Sequence, residues 1–353
     1  MNTILKNEND TDTFSVASEI LKNGGLVAFP TETVYGLGGD ALKKDASKKI
    51  YAAKGRPSDN PLIVHVADRE ALGVLAAEIP EKAEILAEAF WPGPLTIILR
   101  KKNIVPDETT GGLDTVAIRM PSHPAALRLI RESGVYIAAP SANTSGRPSP
   151  TTAEHVAEDM NGRIDMIIDG GPVGIGIEST IVDLTGEVPT ILRPGFITKK
   201  MLEEMIGPVD IDKALIAPDP TIRPKAPGMK YTHYSPKGEL SIVEAKCDAE
   251  GKCDAEGVAR HINILTDKAL AEGKKAVVIT TEKYKKMYTC ENIITLGDTQ
   301  QSPTVAARLY SALRECDSLG ADVIYSESFE ENEIGGAIMN RLLRAAGHRV
   351  IYV

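Results

Sequence analysis

The chain has 353 residues, 42% of them hydrophobic and 25% charged, with a formal net charge of −9. That length exceeds what one compact core usually holds and implies two domains. The acidic balance argues against a protein whose main task is gripping a nucleic-acid backbone over a broad basic surface, though it leaves room for a local basic pocket.

From Thr13 to about Pro208, helix-like and strand-like segments alternate. Phe14 to Leu21 is amphipathic and stops at Gly24-Gly25, a helix-ending pair. LVAFP (26–30) follows as a buried strand, then the polar turn TETVYGLGGD. Ala46 to Ala53 is a short helix and PLIVHVA (61–67) a strand. A helix over 80–90 closes at WPGP, before the strands LTIILR (95–100) and TVAIRMP (115–121). A helix runs from Pro124 to Glu132, and VYIAAPSAN (135–143) is a strand with a polar tip. IDMIIDGG (164–171) and STIVDLTG (179–186) complete a mixed sheet of about seven strands in an α/β domain over 1–208.

Residues 209–237 are proline-rich and lack periodicity, the mark of a semi-rigid connector. Met229, Tyr231, His233 and Tyr234 are more ligand-like than a spacer needs, which suggests a segment that packs over a site. From 238 to 353 five strands (ELSIVEA, KAVVITT, NIITLG, ADVIYSE, HRVIYV) flank helices near 256–272, 303–319 and 335–346. This is a smaller Rossmann-like α/β domain. KCDAEG occurs twice in tandem there, at 246–251 and 252–257, and reads as a duplication in a surface loop. The four cysteines show no CxxC spacing and read as reduced thiols, neither a disulfide framework nor a zinc site. The polar, acidic N-terminus resembles no signal or transit peptide, and no apolar run approaches the ~20 residues that span a bilayer. A cytoplasmic protein is expected.

Two clusters carry the chemistry: KGRPSDNPLIVH (Lys54 to His65) and SANTSGRPSPT (Ser141 to Thr151). Each sets polar and basic groups beside a strand, where a scaffold can hold them against a small ligand. A lone basic pair is commonly a solvated loop, but Lys54 and Arg56 lie close to Asn60 and His65. An extended segment would also point both cations to one face. Together they indicate a polyanion site. No GxxxxGK[ST] or GxGxxG exists, so any nucleotide is held by side chains and turns. Arg193 in ILRPG is a further phosphate candidate, while Arg119 suits either a ligand carboxylate or a structural ion pair. The six histidines form no HxxxH or HExxH arrangement, and no metal site is read. His65 by itself is an ordinary strand histidine. Thr31, Thr33, Ser141, Ser149 and Ser179 look like binding hydroxyls rather than nucleophiles.

PTETVYGLG, the KxR of the first cluster, RMPSHP, the SxN of the second, GIESTIVD and LRPG stand in the order seen in YrdC-like threonylcarbamoyl-AMP synthases. PGMKYTHYSP and the trailing α/β domain resemble the long, two-domain form of that family. The resemblance spans nearly the whole chain. It implies an L-threonylcarbamoyladenylate synthase, a nucleotidyltransferase that converts L-threonine, bicarbonate and ATP to threonylcarbamoyl-AMP and pyrophosphate for the threonylcarbamoyladenosine modification of tRNA. It also implies Mg²⁺ accompanying ATP, and downstream threonylcarbamoyl-transferase machinery acting on tRNA. Carried over position by position, Thr33, His65, Arg119, the Ala139 backbone and Ser179 surround threonine, with Arg119 meeting its carboxylate. Arg56, Asn60, Thr115, Ser141, Asn143, Ser149 and Arg193 contact ATP, Lys54 and Arg56 are the catalytic cations, and Tyr234 closes over the nucleotide. The alternative is a non-catalytic double-stranded RNA or tRNA-binding module. Carbamoyl transfer in hydrogenase maturation would need zinc-finger cysteine pairs, which the sequence lacks.

Overall fold

The computed structural model describes residues 2–215, 224–227, 234–245, 254–298, 302–329 and 334–353. Met229, Tyr231 and His233 of the linker, and Cys247 and Cys253 of the tandem repeat, lie outside the described residues. The chain forms two compact units. The first holds Met1–Ser145, Ser149–Gly174 and Glu178–Tyr231, and the second Gly146–Pro148, Ile175–Ile177 and Thr232–Val353.

The first unit opens with β1 (Ile4–Asn7), α1 (Thr13–Lys22), β2 (Val27–Phe29) and β3 (Gly36–Asp40). α2 (Lys44–Lys54), β4 (Ile63–His65), α3 (Ala71–Leu75), α4 (Glu81–Phe90), β5 (Leu95–Arg100), α5 (Asp107–Thr110) and β6 (Thr115–Arg119) follow. α6 (Pro124–Ser133), β7 (Ile137–Ala138), α7 (Ala153–Met160), β8 (Met166–Asp169), β9 (Thr180–Asp183), β10 (Thr190–Arg193), α8 (Lys199–Ile206) and β11 (Asp210–Ile211) complete it. Eleven strands, among the described residues, form one mixed sheet in the order β1-β8-β2-β3-β7-β4-β6-β5-β9-β10-β11.

Both faces of this sheet are covered, which is why LTIILR and TVAIR read as apolar runs rather than alternating patterns. Val27 and Phe29 pack on one side with Phe14, Ala17 and Leu21 of α1 and Leu129 and Ile130 of α6. Ala28 packs on the other, in the core with Ile50, Leu86, Val156 and Leu202 from α2, α4, α7 and α8. Local signals start several helices: the Thr152 and Thr198 hydroxyls accept the backbone N–H of His155 and Met201, and Pro124 occupies the first turn of α6.

The sheet holds four strands more than the sequence reading expected: β1, β3, β10 and β11. β1 gave no signal because it is an edge strand whose Ile4 and Leu5 stay 41% and 60% exposed. β3 reads GLGGD, and its glycines suggest a turn; it is a strand because large neighbours cross it. A Cβ at Gly38 would lie 2.7 Å from Ile137 Cγ2 and 2.9 Å from Phe29 Cε1. Gly38→Ala is therefore expected to cost about 1–3 kcal/mol by overpacking, read as a lowered urea midpoint. An unchanged midpoint would show that the two side chains repack without strain.

The second unit follows its expectation closely. β12 (Glu239–Glu244), α9 (Ala255–Ala271), β13 (Ala276–Thr280), β14 (Ile293–Thr295), α10 (Ser302–Ser318), β15 (Val323–Glu327), α11 (Gly335–Ala345) and β16 (Val350–Tyr352) build an all-parallel sheet. Its order, β14-β13-β15-β12-β16, inserts β15 between the first two strands of the unit, a variation on the doubly wound pattern. The end of the second KCDAEG copy starts α9, where the Asp254 carboxylate accepts Gly257 N–H at 2.8 Å. Cys290 and Cys316 are buried free thiols.

Candidate active site

The parallel neighbours β4 and β6 pair His65 directly with Arg119, so the two side chains leave their strands side by side. Arg119 is buried and each of its nitrogens has an acceptor. Nη2 reaches Glu32 Oε1 at 2.6 Å, Nη1 reaches Thr33 Oγ1 at 3.0 Å and Nε reaches Gly93 O at 3.3 Å. The sequence left Arg119 open between a ligand carboxylate and an ion pair. In the structure its carboxylate partner is Glu32, a residue the sequence reading did not single out. Burial alone would raise the Glu32 carboxyl, but the charge and hydrogen bond of Arg119 outweigh it and hold it below its ordinary value.

Burial pushes the His65 imidazole down to about 3, with the Arg119 charge acting in the same direction and Glu32 opposing. Its Nδ1 lies 3.2 Å from Ile63 O, and its ring meets Phe29 edge-on at 6.1 Å. His65 is therefore a neutral imidazole at physiological pH, a hydrogen-bonding wall rather than a proton carrier. Because its folded value lies below the unfolded ~6.5, the unfolded chain takes up the proton first. Stability from this residue is unaffected above ~6.5 and falls as pH drops from there towards 3. His65→Gln should flatten the loss in thermal midpoint between pH 7.5 and 5; an identical acid slope would show that His65 is not its source.

Ser179 precedes β9 and joins the two expected binding sets. Its hydroxyl lies 2.7 Å from Thr96 Oγ1, and Arg193 on β10 donates to its carbonyl at 3.0 Å and its hydroxyl at 3.1 Å. Ala139, just past β7, donates its N–H to Ile63 O. Ser149 donates to the buried Glu178 carboxylate at 2.6 Å, another partner missed in the sequence.

Lys54 and Arg56 do not lie in an extended segment, so the condition under which both would point to one face is not met. Lys54 is the last residue of α2, and Gly55 turns the chain with φ 61°, in the left-handed region where glycine is favoured. Buried Lys54 donates to Ser141 O at 2.6 Å, to Asn143 O, and to Asn143 Oδ1 at 3.4 Å, so it ties the first cluster to the second. Ser141 Oγ reaches the same Asn143 Oδ1 at 2.5 Å. Arg56 turns towards the carbonyls of Asn60, at 3.4 Å, and Pro61, at 3.2 Å. Asn60 itself is 1% exposed, and its Oδ1 has no hydrogen-bond partner among the described residues. A buried orphan acceptor costs about 1–3 kcal/mol until a donor reaches it.

Thr115 opens β6, at the opposite end of the strand from Arg119, and is joined by hydrogen bond to no other candidate among the described residues. Tyr234 belongs to the second unit, where it is buried with φ 68° and stacks on Tyr310 at 5.0 Å. Among the described residues no group of three or more His, Cys, Asp or Glu could hold a metal ion, and no helix is long and apolar enough to cross a membrane. The first unit thus gathers buried cations, hydroxyls and amides without a conventional acid–base pair, an arrangement suited to holding anionic and polar small molecules.

Residues 19–195 match the profile of the Sua5/YciO/YrdC family, described as telomere recombination, and 197–347 match that of the threonylcarbamoyl-AMP synthase C-terminal domain. The chain is 52% identical over 336 residues to the threonylcarbamoyl-AMP synthase of Bacillus subtilis, covering 95% of this chain and 93% of that one. It is 38% identical to the Schizosaccharomyces pombe threonylcarbamoyl-AMP synthase, over 94% of this chain and 87% of the relative. The crystal structure of Pyrococcus abyssi Sua5 complexed with L-threonine superposes with a TM-score of 0.92 at 48% identity, covering both chains completely.

Proposed function

Since the chain belongs to the threonylcarbamoyl-AMP synthase family, in the form that carries both domains, we propose that it joins L-threonine, bicarbonate and ATP into L-threonylcarbamoyl-adenylate. The threonine ammonium and bicarbonate give the N-carboxylate, with release of water and a proton. A carboxylate oxygen of that carbamate then attacks the α-phosphorus of ATP, the bond to the bridging oxygen breaks, and pyrophosphate leaves. Such a transfer requires positioning and charge neutralisation more than covalent help from the protein.

The observation that carries the reading is the buried Arg119 guanidinium, which meets the Glu32 carboxylate through Nη2 and the Thr33 hydroxyl through Nη1, on the strand position paired with His65. Arg119, Thr33, His65, Ser179 and the Ala139 backbone surround threonine. Asn60, Thr115, Ser141, Asn143, Ser149 and Arg193 serve the nucleotide, and the orphan Asn60 Oδ1 supports this by calling for a donor such as an adenine amine or a ribose hydroxyl. Arg56 neutralises charge developing on the phosphates, and Lys54 keeps the 141–143 loop in place while adding its own charge. Mg²⁺ accompanying ATP would screen the charge of its phosphates. In this reading the product is consumed by an enzyme that transfers the threonylcarbamoyl group to adenosine in tRNA, and the protein works in the cytoplasm beside that enzyme.

Incubation with ¹⁴C-bicarbonate, L-threonine, ATP and Mg²⁺ tests this reading. Label is expected in a species that also contains threonine and AMP. Label confined to bicarbonate, from folded protein, would refute it; salt-steep binding of bare tRNA would then favour the RNA-binding alternative.

A further inference from the structure

The Arg119–Glu32 pair has an unusual division of bonds. The side chain of Arg119 is buried, at 4% exposure, and that of Glu32 is largely so, at 13%. Yet Glu32 does not grip the guanidinium with both oxygens: Oε1 takes Nη2, while Oε2 accepts the backbone N–H of Ser122 at 3.1 Å. Thr33 is fixed as an acceptor. Thr31 Oγ1 gives its proton to Val34 O at 2.6 Å, so across the 2.9 Å contact the Thr33 hydroxyl donates to Thr31 and receives Arg119 Nη1. Nη1 and Nη2 each carry two N–H groups, so each keeps one beyond these bonds. A remaining N–H on each nitrogen lets the guanidinium meet a second carboxylate while it keeps the first.

Building on the reading of Arg119 as the threonine-carboxylate anchor, we propose that Glu32 is a positioning residue that stands in for the substrate carboxylate. Before threonine binds, Glu32 balances the charge of Arg119 and fixes its plane. When threonine arrives, the guanidinium is shared between the two carboxylates. A buried guanidinium stripped of its carboxylate partner is costly. Removing the Glu32 charge therefore destabilises the unliganded protein, and an incoming carboxylate recovers that loss. By linkage, the variant gains affinity for threonine to the extent that threonine restores its stability. A merely structural pair predicts lost stability with no gain in affinity.

The test measures L-threonine affinity by calorimetry, and thermal midpoints with and without ligand, for wild type and Glu32→Gln. L-threoninol, which keeps the amine and hydroxyl but lacks the carboxylate, is the control. Glu32→Gln is expected to melt lower alone, to bind threonine about tenfold more tightly and to bind threoninol as wild type does. Equal or weaker threonine binding overturns the proposal, as does an equal gain for threoninol. Should Glu32→Gln fail to fold, Glu32→Asp keeps the charge but withdraws it by one methylene; tighter threonine binding supports the proposal and unchanged or weaker binding overturns it. Arg119→Gln separates the two ideas. Wild-type threonine affinity there removes the anchor reading itself, whereas lost affinity there with no gain in Glu32→Gln removes only the stand-in.

Discussion

Replacing Arg56 by alanine is expected to lower threonine-dependent pyrophosphate release about a thousandfold or more while leaving the protein folded. The structure explains why the effect should fall on chemistry. The bonds from Arg56 to Asn60 O and Pro61 O are long, at 3.2–3.4 Å, and Asn60 O also accepts the Tyr51 hydroxyl at 3.1 Å. That carbonyl keeps a partner when Arg56 is gone. The catalytic contribution of an arginine on a transferring phosphoryl group reaches ~10³–10⁵ in rate. Pyrophosphate release and a urea unfolding curve on the same sample would check both halves. Activity within tenfold of wild type would remove Arg56 from the site.

Arg119→Gln should damage binding and stability together. It removes a charge-assisted contact to the threonine carboxylate, for which truncation costs about 2–5 kcal/mol, or a thirtyfold or greater loss of affinity. It also leaves Glu32, held largely out of solvent, without its cation, and breaking a buried pair from one side costs about 3–5 kcal/mol. Threonine titration by calorimetry and denaturant unfolding read the two losses separately. A variant with wild-type stability and affinity would show that neither the Glu32 contact nor the substrate depends on Arg119.

These residues also mark how far the sequence could be read. The second unit was legible almost strand by strand, because each buried parallel strand is a short apolar run and each helix between has its own 3.6-residue period. In the first unit the seven strongest strands were legible for the same reason. The glycine-rich β3 was not, because it exists through the crossing of Phe29 and Ile137, which only tertiary packing reveals. The two chemical clusters stood out by composition, yet their connection did not. Lys54 reaching the Ser141 and Asn143 carbonyls depends on α2 ending at Gly55, and an extended reading of KGR pointed elsewhere. Glu32 and Glu178 were missed because a carboxylate's partner lies 87 residues away in the first case and 29 in the second. The only local hint was an acid set among threonines and serines in PTET and GIEST.

The most direct test of the central claim is pyrophosphate release from ATP and Mg²⁺, with L-threonine and bicarbonate each supplied or withheld. Release that requires both, and that fails with L-serine or L-valine, is the expected result. Release independent of threonine or bicarbonate, or none from folded protein under any combination, would contradict the assignment.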